Sequence, residues 1–155
     1  MRDDAIDTPH GPVTLRLATA AEVVDLRHRV LRDGLPRHSA VFDGDERPDA
    51  YHVVAESGGR VVGCATVHAS AWDGAPAWQL RGMATDPGLR GAGVGRAMLA
   101  RLERLLRDGT PVRQLWCNAR VPAVGFYERL GWRVASDPFD IPTAGPHVKM
   151  TRRLE

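Results

Sequence analysis

The chain has 155 residues, 43% of them hydrophobic and 26% charged, which is typical of one soluble globular domain. Its net charge is only +2, and its arginines are interleaved with acids, which argues against a nucleic-acid-binding surface. No segment reaches the ~20 apolar residues of a membrane helix, and MRDDAIDTPHGP lacks the apolar centre of a signal peptide. We therefore expect a cytoplasmic protein with no nucleic-acid or membrane partner.

The N-terminal third predicts an arm, a strand, a helix and a long loop. Residues 1–12 are polar and contain two prolines and a glycine, so we expect a flexible arm before a domain over residues 13–155. PVTLRLAT alternates apolar and polar residues and predicts a half-buried strand. Thr19 and Glu22 have the spacing of a capping box, which predicts a helix through about Leu31. The segment GLPRHSAVFDGDERPD is too long for a plain connector, so we expect it to line a site.

The middle of the chain predicts three strands and a strongly amphipathic helix. YHVVAE and VVGCATVHA flank the glycine turn SGGR and predict a hairpin, and AWQLRGMAT predicts a further strand. From Val94 to Leu106 apolar residues recur at helical spacing, and Gly109 is expected to end that helix. VRQLWC predicts the next strand.

The C-terminal part predicts one more helix and two strands. The helix runs from about Ala119 to Leu130 and stops at Gly131, while WRVA and HVKMTRR predict the last strands. The resulting order is β-α-loop-β-β-β-α-β-α-β-β, which indicates an α/β domain with a mixed sheet and helices on its faces.

Two cysteines lie in apolar runs predicted to be strands. Cys64 is in VVGCATV and Cys117 is in QLWCNA, so both are expected to be small buried hydrophobic residues with reduced thiols. A nucleophile or a disulfide is the alternative. No CxxC or Cys–His spacing indicates a metal site.

The most informative stretch is LRGAGVG, residues 89–95, directly before a predicted helix. A nucleotide-binding P-loop needs lysine and Ser/Thr after its last glycine, whereas Gly95 is followed by Arg96 and Ala97. A dinucleotide fingerprint needs a third glycine where Arg96 stands, and it follows the first strand, not the fourth. The pyrophosphate of coenzyme A fits, because glycines admit it to free helix N-terminal amides and Arg90 adds charge. A structural turn is the alternative reading.

Two segments carry a family resemblance. LRGMATDPGLRGAGVGRAMLARLE, residues 80–103, has the pattern [Q/R]-x-x-G-x-[G/A] at Arg90, Gly93 and Gly95, and CNARVPAVGFYERLGW, residues 117–132, is similar to a closing coenzyme-binding motif. With them the chain resembles the GNAT superfamily of acetyl-CoA-dependent N-acyltransferases.

The resemblance extends from about Thr14 to Met150. It implies a single domain built on a central, mostly antiparallel mixed sheet flanked by helices. It also implies direct acetyl transfer from acetyl-CoA to a primary amine of a small molecule or peptide, in a ternary complex and without a metal. Members of this superfamily are often homodimers.

The resemblance assigns roles on the donor side. The main chain of Met83, Ala84 and Thr85 is expected to bind the pantetheine arm, and Tyr127 to protonate the leaving thiolate as general acid. Asn118 matches a position that contacts the pantetheine or the acceptor. The alternatives are a helix cap for Asn118 and a packed aromatic ring for Tyr127. The pyrophosphate is expected on the amides of Arg90, Gly91, Ala92, Gly93, Val94, Gly95 and Arg96.

The general base is not fixed by the sequence. Many relatives place a glutamate on the fourth predicted strand, but Arg81 stands near that position here. Arg81 and Asp43 are expected to contact the acceptor, with Arg81 holding a substrate carboxylate or pairing with an acid. His147 is our candidate base, and DPFDIPTAGPH, residues 137–147, is expected to shape specificity. The other candidate bases are His52, His68, Asp43 and Asp45.

The missing strand carboxylate leaves a second function open. A coenzyme-binding module that senses acetyl-CoA without turnover needs no general base. The presence of Tyr127 favours an enzyme.

Overall fold

The computed structural model describes residues 4–155, which contain nine strands and three α-helices. The helices are α1 (Val24–Leu31), α2 (Val94–Gly109) and α3 (Val124–Arg129). The strands are β1 (Asp4–Thr8), β2 (Gly11–Ala18), β3 (Ala50–Ser57), β4 (Arg60–Trp72), β5 (Ala75–Thr85), β6 (Gln114–Arg120), β7 (Arg133–Val134), β8 (Phe139–Ile141) and β9 (Gly145–Arg153).

The strands form one mixed sheet in the order β1-β2-β3-β4-β5-β6-β9-β7, with β8 also paired to β9. Every pairing is antiparallel except that of β5 with β6, which α2 connects. The predicted mixed, mostly antiparallel sheet flanked by helices is therefore confirmed.

The two faces of the sheet bury different residues, because side chains alternate along each strand. Val53 and Ala65 pack in the larger core cluster beneath α2 and α3, whereas Val54 and Cys64 pack in the smaller cluster with α1. Helix α2 packs tightly on β4, since a Cβ at Gly63 would lie 2.9 Å from Val94 Cγ1. The absence of a side chain at Gly63 thus fixes how closely α2 approaches the sheet.

The predicted flexible arm over residues 1–12 is wrong for the part that the structure describes. Asp4–Thr8 form β1, which pairs antiparallel with β2 from Asp4 opposite Leu15 to Thr8 opposite Gly11. Asp4 also accepts a 2.6 Å hydrogen bond from Arg104 of α2. Pairing across a tight turn satisfies the backbone of this polar segment, which the sequence pattern did not show. Residues 1–3 of the predicted arm lie outside the described part.

Three further element predictions need correction. The predicted helix from Ala119 is shorter, because β6 continues to Arg120 through antiparallel pairing with β9, and α3 covers only Val124–Arg129. Residues 137–147 contain β8, which pairs back on β9. At the first helix, Glu22 accepts the Thr19 N–H at 2.9 Å as predicted, but its opening turn is a 3-10 turn before α1.

The parallel strands β5 and β6 separate towards their carboxyl ends. Their paired register covers only Trp78–Leu80 of β5 and Leu115–Cys117 of β6, although both strands continue further. The edge of β5 from residue 81 to residue 85 therefore faces an opening rather than a neighbouring strand. Ligands of open mixed sheets bind in such clefts beyond the carboxyl ends of parallel strands.

Candidate active site

A groove of about 660 Å³ lies between the end of β5, the glycine loop and the start of α3. Most of the predicted coenzyme residues line it together, although they come from separate segments. Those that do are Met83, Ala84, Thr85, Arg90, Gly91, Gly93, Val94, Gly95, Arg96 and Tyr127. Ala92 and Asn118 do not line this groove, which we call the donor groove.

The glycine loop presents free amides to the donor groove. Gly91 and Gly93 have φ of +81° and +88°, in the left-handed region that glycine adopts without strain. Within residues 4–155, the N–H groups of Gly91, Gly93, Val94, Gly95 and Arg96 donate to no carbonyl. Of the seven amides predicted to bind the pyrophosphate, those of Arg90 and Ala92 donate within the protein, to the carbonyls of Pro87 and Leu89.

A β-bulge interrupts β5 at the mouth of the opening. Cys64 pairs with Ala84 and Thr66 with Arg81, so Ala65 alone faces two residues of β5. Gly82 has φ of +60°, and a Cβ there would lie 2.6 Å from Arg27 Nε. Sequence reasoning missed this role of Gly82, although a glycine inside a strand pattern is the usual signal of a bulge.

A second cavity of about 220 Å³, the acceptor cavity, opens between β5 and β6. It is bounded by Arg81 on β5, Asn118 on β6 and His147 on β9, with Phe42 from the long loop after α1. The prediction that this loop lines a site is consistent with the position of Phe42. Five residues line both cavities, so the two are continuous: Leu31, Met83, Arg120, Ala123 and Tyr127.

Tyr127 lies where the two cavities join. Its hydroxyl is 3.6 Å from Met83 Sδ, and its ring packs edge-on against Phe126 and Trp132 at centroid distances of 5.2 and 5.4 Å. Burial raises the pKa of the phenol, so the hydroxyl keeps its proton at neutral pH. A thioether is a weak acceptor, which leaves this proton available to a stronger one.

A buried ion pair between Arg27 and Asp45 stabilises part of the lining of the acceptor cavity. Arg27 donates to both carboxylate oxygens of Asp45, at 2.7 and 3.1 Å, and to Thr66 Oγ1 at 2.8 Å. Asp45 also accepts the Phe42 N–H at 2.9 Å, and the Arg27 guanidinium lies 4.0 Å from the Phe42 ring centre. Burial alone would raise the pKa of Asp45, but its bonds to Arg27 and the Phe42 amide lower it. The pair thus holds Phe42 against β5.

A family model of the acetyltransferase (GNAT) domain matches residues 48–134, more than half of this chain. The chain belongs to the GNAT family. It is 29% identical over 143 residues to the uncharacterized N-acetyltransferase YitI of Bacillus subtilis strain 168, covering 90% of this chain and 95% of that relative. This confirms the predicted superfamily and makes the protein an acyltransferase.

Solved structures share the fold. Escherichia coli ElaA superposes with a TM-score of 0.76 at 16% identity, covering 91% of this chain and 99% of that one. An aminoglycoside 6'-N-acetyltransferase complexed with coenzyme A superposes with a TM-score of 0.69 at 13% identity, covering 89% and 96%. The GNAT fold thus extends over nearly the whole chain, well beyond the segment that the family model matches.

Of the candidate bases, the structure places only His147 at the acceptor cavity. Its Nδ1 lies 2.8 Å from the Gly145 carbonyl oxygen. Because a carbonyl only accepts, Nδ1 donates in the neutral ring, and Nε2 carries the lone pair. The ring also packs beside Phe139, with centroids 6.2 Å apart. This geometry suits a proton acceptor.

The other candidate bases do not line the acceptor cavity. His52 is buried between Thr66 Oγ1 and the Asp45 carbonyl, at 2.7 and 2.9 Å. His68 Nδ1 lies 3.0 Å from the Ala69 carbonyl oxygen, and burial lowers the pKa of its ring. The Asp45 carboxylate is bound by Arg27. Asp43 is exposed and contributes its carbonyl to Arg81, and its contact with the acceptor stays a prediction.

Asn118 and Arg81 line the acceptor cavity but also have partners within the protein. Asn118 lies in β6, so the helix-cap alternative is wrong, and its Oδ1 accepts from Lys149 Nζ at 3.0 Å. Arg81 donates to the Asp43 carbonyl at 3.0 Å. Arg32, Arg120 and Phe42 line this cavity too, and sequence reasoning missed them because their positions depend on tertiary contacts.

Both cysteines are buried thiols, and the described residues contain neither a cluster of metal-ligating side chains nor a membrane-spanning helix. Cys64 and Cys117 are buried in strands and form no disulfide, as the sequence predicted. Over residues 4–155, no three His, Cys, Asp or Glu side chains come together as a metal site would require. In the same range, none of the helices has the length and apolar character needed to cross a bilayer.

Proposed function

We propose that this GNAT protein transfers an acetyl group from acetyl-CoA to a primary amine of a small molecule or peptide, by direct attack in a ternary complex. The observation that carries the proposal is the junction of the donor groove and the acceptor cavity at Tyr127 and Met83. Two substrates bound on either side of this point would have their reacting atoms next to each other, which is the main requirement of direct transfer.

The donor groove suits coenzyme A through main-chain groups. The amides of Gly91 and of residues 93–96 would bind the pyrophosphate, with the helix dipole of α2 adding favourable charge. The edge of β5 from Met83 to Thr85 would pair with the pantetheine amides as a neighbouring strand would. Arg90 and Arg96, which also line the groove, add positive charge for the phosphates.

Residues at the junction have the chemistry for acyl transfer. Acetyl-CoA supplies an activated acetyl thioester as co-substrate. Main-chain N–H groups of β5 beyond the bulge would polarise its carbonyl. His147 Nε2 would take a proton from the amine as the N–C bond forms, and the Tyr127 hydroxyl would protonate the sulfur as the C–S bond breaks. No covalent intermediate on the protein is needed.

The test is thiol release from acetyl-CoA across a panel of amines, amino acids, aminoglycosides and peptides, with mass spectrometry of the acetylated product. Tight coenzyme binding without thiol release from any amine would favour the alternative of a non-catalytic sensor. Family membership and a protonated Tyr127 at the junction support turnover.

A further inference from the structure

The acceptor cavity is strongly cationic. Three arginines line it, Arg32 after α1, Arg81 on β5 and Arg120 at the end of β6, together with His147. No aspartate or glutamate is among the described residues that line it. An empty cavity with this lining has a positive potential that attracts anions and repels cations.

The three guanidinium groups are bonded only to neutral acceptors. Arg32 Nη1 and Arg120 Nη2 donate to the carbonyl of Leu31 at 3.1 and 3.2 Å, and Arg81 Nη1 donates to the carbonyl of Asp43. In residues 4–155, none of the three takes part in an ion pair, whereas Arg27 directly below is paired with Asp45. Their donors are thus not saturated, and no carboxylate in that range is bonded to any of the three, although the charges of Asp45 and Asp43 act favourably on Arg81 without direct contact.

Two of these arginines lie against the same aromatic ring in the cavity lining. The guanidinium carbons of Arg81 and Arg32 lie 4.9 and 5.3 Å from the centre of the Phe42 ring. Burial and the positive charges of Arg120, Arg27 and Arg81 lower the pKa of Arg32. The like charges of Arg32 and Arg81 repel each other, and an anion bound between them would offset this repulsion.

We propose that the acceptor amine carries a carboxylate, and that Arg81 and Arg32 bind this carboxylate in the acceptor cavity. The proposal rests on the proposed acyl transfer for its amine. Arg120 is left out because it also lines the donor groove, where its charge can act on the coenzyme phosphates. Arg81 and Arg32 line the acceptor cavity but not the donor groove. A planar guanidinium matches a carboxylate in geometry and can bind both of its oxygens.

Size and charge narrow the class of acceptor further. The cavity, at about 220 Å³, is smaller than the usual ~300–1,000 Å³ of sites for drug-sized ligands, so an acceptor of amino-acid size fits best. Polyamines and aminoglycosides are disfavoured, because a polycation would meet three arginines with no acid among the lining residues.

The test compares acceptors that differ only in the carboxylate. Amino acids, their carboxamides and the corresponding decarboxylated amines are assayed by thiol release with saturating acetyl-CoA. We expect kcat/KM for the amino acid to exceed that of both compounds that lack the carboxylate by about tenfold or more. Arg81→Gln and Arg32→Gln should each lose most of this preference and leave KM for acetyl-CoA unchanged. Arg37→Gln removes the same charge at an exposed pair with Asp25 and should retain the preference.

The outcomes separate this proposal from the proposed function. Thiol release that is as fast with carboxamides as with amino acids overturns the carboxylate site while acyl transfer stands. A preference for amino acids that survives in Arg81→Gln does the same. Faster reaction with an aminoalkyl phosphate than with the matched amino acid also overturns it. If no amine gives thiol release, calorimetry with coenzyme A-loaded protein decides. Tighter binding of amino acids than of carboxamides, lost in Arg81→Gln, supports the site, and equal binding overturns it.

Discussion

The Tyr127 hydroxyl is the residue-scale feature that most directly links structure to chemistry. It is buried and protonated, and its one hydrogen-bond partner among residues 4–155 is the Met83 thioether, a weak acceptor. Its ring, by contrast, packs firmly against Phe126 and Trp132. The packing and the hydroxyl can therefore be tested separately.

Tyr127→Phe removes the hydroxyl and keeps the ring. If Tyr127 is the general acid, kcat should fall by roughly 10²–10⁴-fold, because that is the usual contribution of a positioned acid or base. Coenzyme affinity by calorimetry and the melting temperature should change little. A Phe variant that turns over like the parent protein would remove Tyr127 from the chemistry. Lost stability with normal turnover would make it a packing residue.

The Arg27–Asp45 pair is the residue-scale feature that supports the acceptor side. In Asp45→Asn, Arg27 would stay buried with no anion beside it, and we expect a loss of about 3–5 kcal/mol in the free energy of unfolding. Urea denaturation measures this. Asp25→Asn breaks an exposed pair with Arg37, and it should cost no more than about 1 kcal/mol. Equal effects of the two variants would contradict the role of the buried pair.

The same pair predicts a pH dependence. The pKa of Asp45 is lower in the folded protein than in the unfolded chain, where it is about 3.9. Its contribution to stability is therefore complete above that unfolded-state value and is lost as the pH falls through the folded-state pKa. Denaturation curves from pH 6 down to pH 2 should lose stability more steeply in the parent protein than in Asp45→Asn. Parallel curves would contradict the assignment.

At the scale of elements, the glycine loop and α2 act as one unit. The loop supplies left-handed glycines, and the first turn of α2 supplies the remaining free amides. The position of this turn is fixed by the contact of Val94 and Met98 with Gly63 of β4. The shape of the donor groove thus depends on the backbone conformation of the loop and on the packing of α2. A single substitution can change either one without the other.

Gly93→Val tests backbone conformation. A valine at φ of +88° is strained, and its side chain would enter open space, since nothing lies within 4 Å of a Cβ there, beside the amides proposed to bind the phosphates. Gly59→Val is a matched control, with φ of +79° and equally open space in the β3–β4 turn. We expect both to lose some stability, but only Gly93→Val to lose acetyl-CoA binding in calorimetry. Unchanged affinity in folded Gly93→Val would exclude the loop from the site.

Gly63→Ala tests helix packing. The added methyl group would lie 2.9 Å from Val94 Cγ1 and 3.0 Å from Met98 Sδ, so these side chains, or α2 with them, must shift. Overpacking of this kind costs about 1–3 kcal/mol. We expect a lower melting temperature together with a higher KM for acetyl-CoA. Gly109→Ala, at the open end of the same helix, should change neither the melting temperature nor KM by much. An equally small effect of Gly63→Ala would contradict the dependence of the donor groove on the packing of α2.

The sequence predicted elements well where local pattern and tertiary structure agree. The periodicity of α2 and the Thr19–Glu22 capping box are local signals, and both were confirmed. Ala119 and Arg120 belong to β6 instead of a helix because they pair with Val148 and His147 of β9, a contact that no local pattern shows. β1 was missed for the same reason.

The donor groove and the acceptor cavity also differ in how far their residues could be predicted from the sequence. Gly91 and Gly93 could be located from their spacing alone, because the phosphate chemistry proposed for them uses main-chain amides. Phe42 and Arg32 could not, because the Arg27–Asp45 pair joins residues 18 positions apart to place Phe42. Their side chains enter the cavity only once the chain has folded.

At the scale of the whole molecule, the reactivity of the two cysteine thiols measures whether the strands of the sheet separate enough to admit a reagent. Burial raises the pKa of Cys64 and of Cys117 to about 12, so both are neutral thiols near pH 8. We expect iodoacetamide to label neither in the native protein and both in urea, with mass spectrometry finding no bridge between them. Rapid native labelling of Cys117, which lines the acceptor cavity, would show that β5 and β6 open further than described.

The separation of β5 from β6 after three paired positions also has an evolutionary consequence. On one side of the opening the useful groups are backbone atoms, which nearly any sequence compatible with the fold retains. On the other side they are side chains such as Arg81 and His147, each open to single-nucleotide change. Descendants of this gene could therefore acquire new acceptors by a few substitutions without rebuilding the groove that we propose receives the coenzyme. Divergence should accumulate around residues 32, 42 and 81 before it reaches residues 91 and 93.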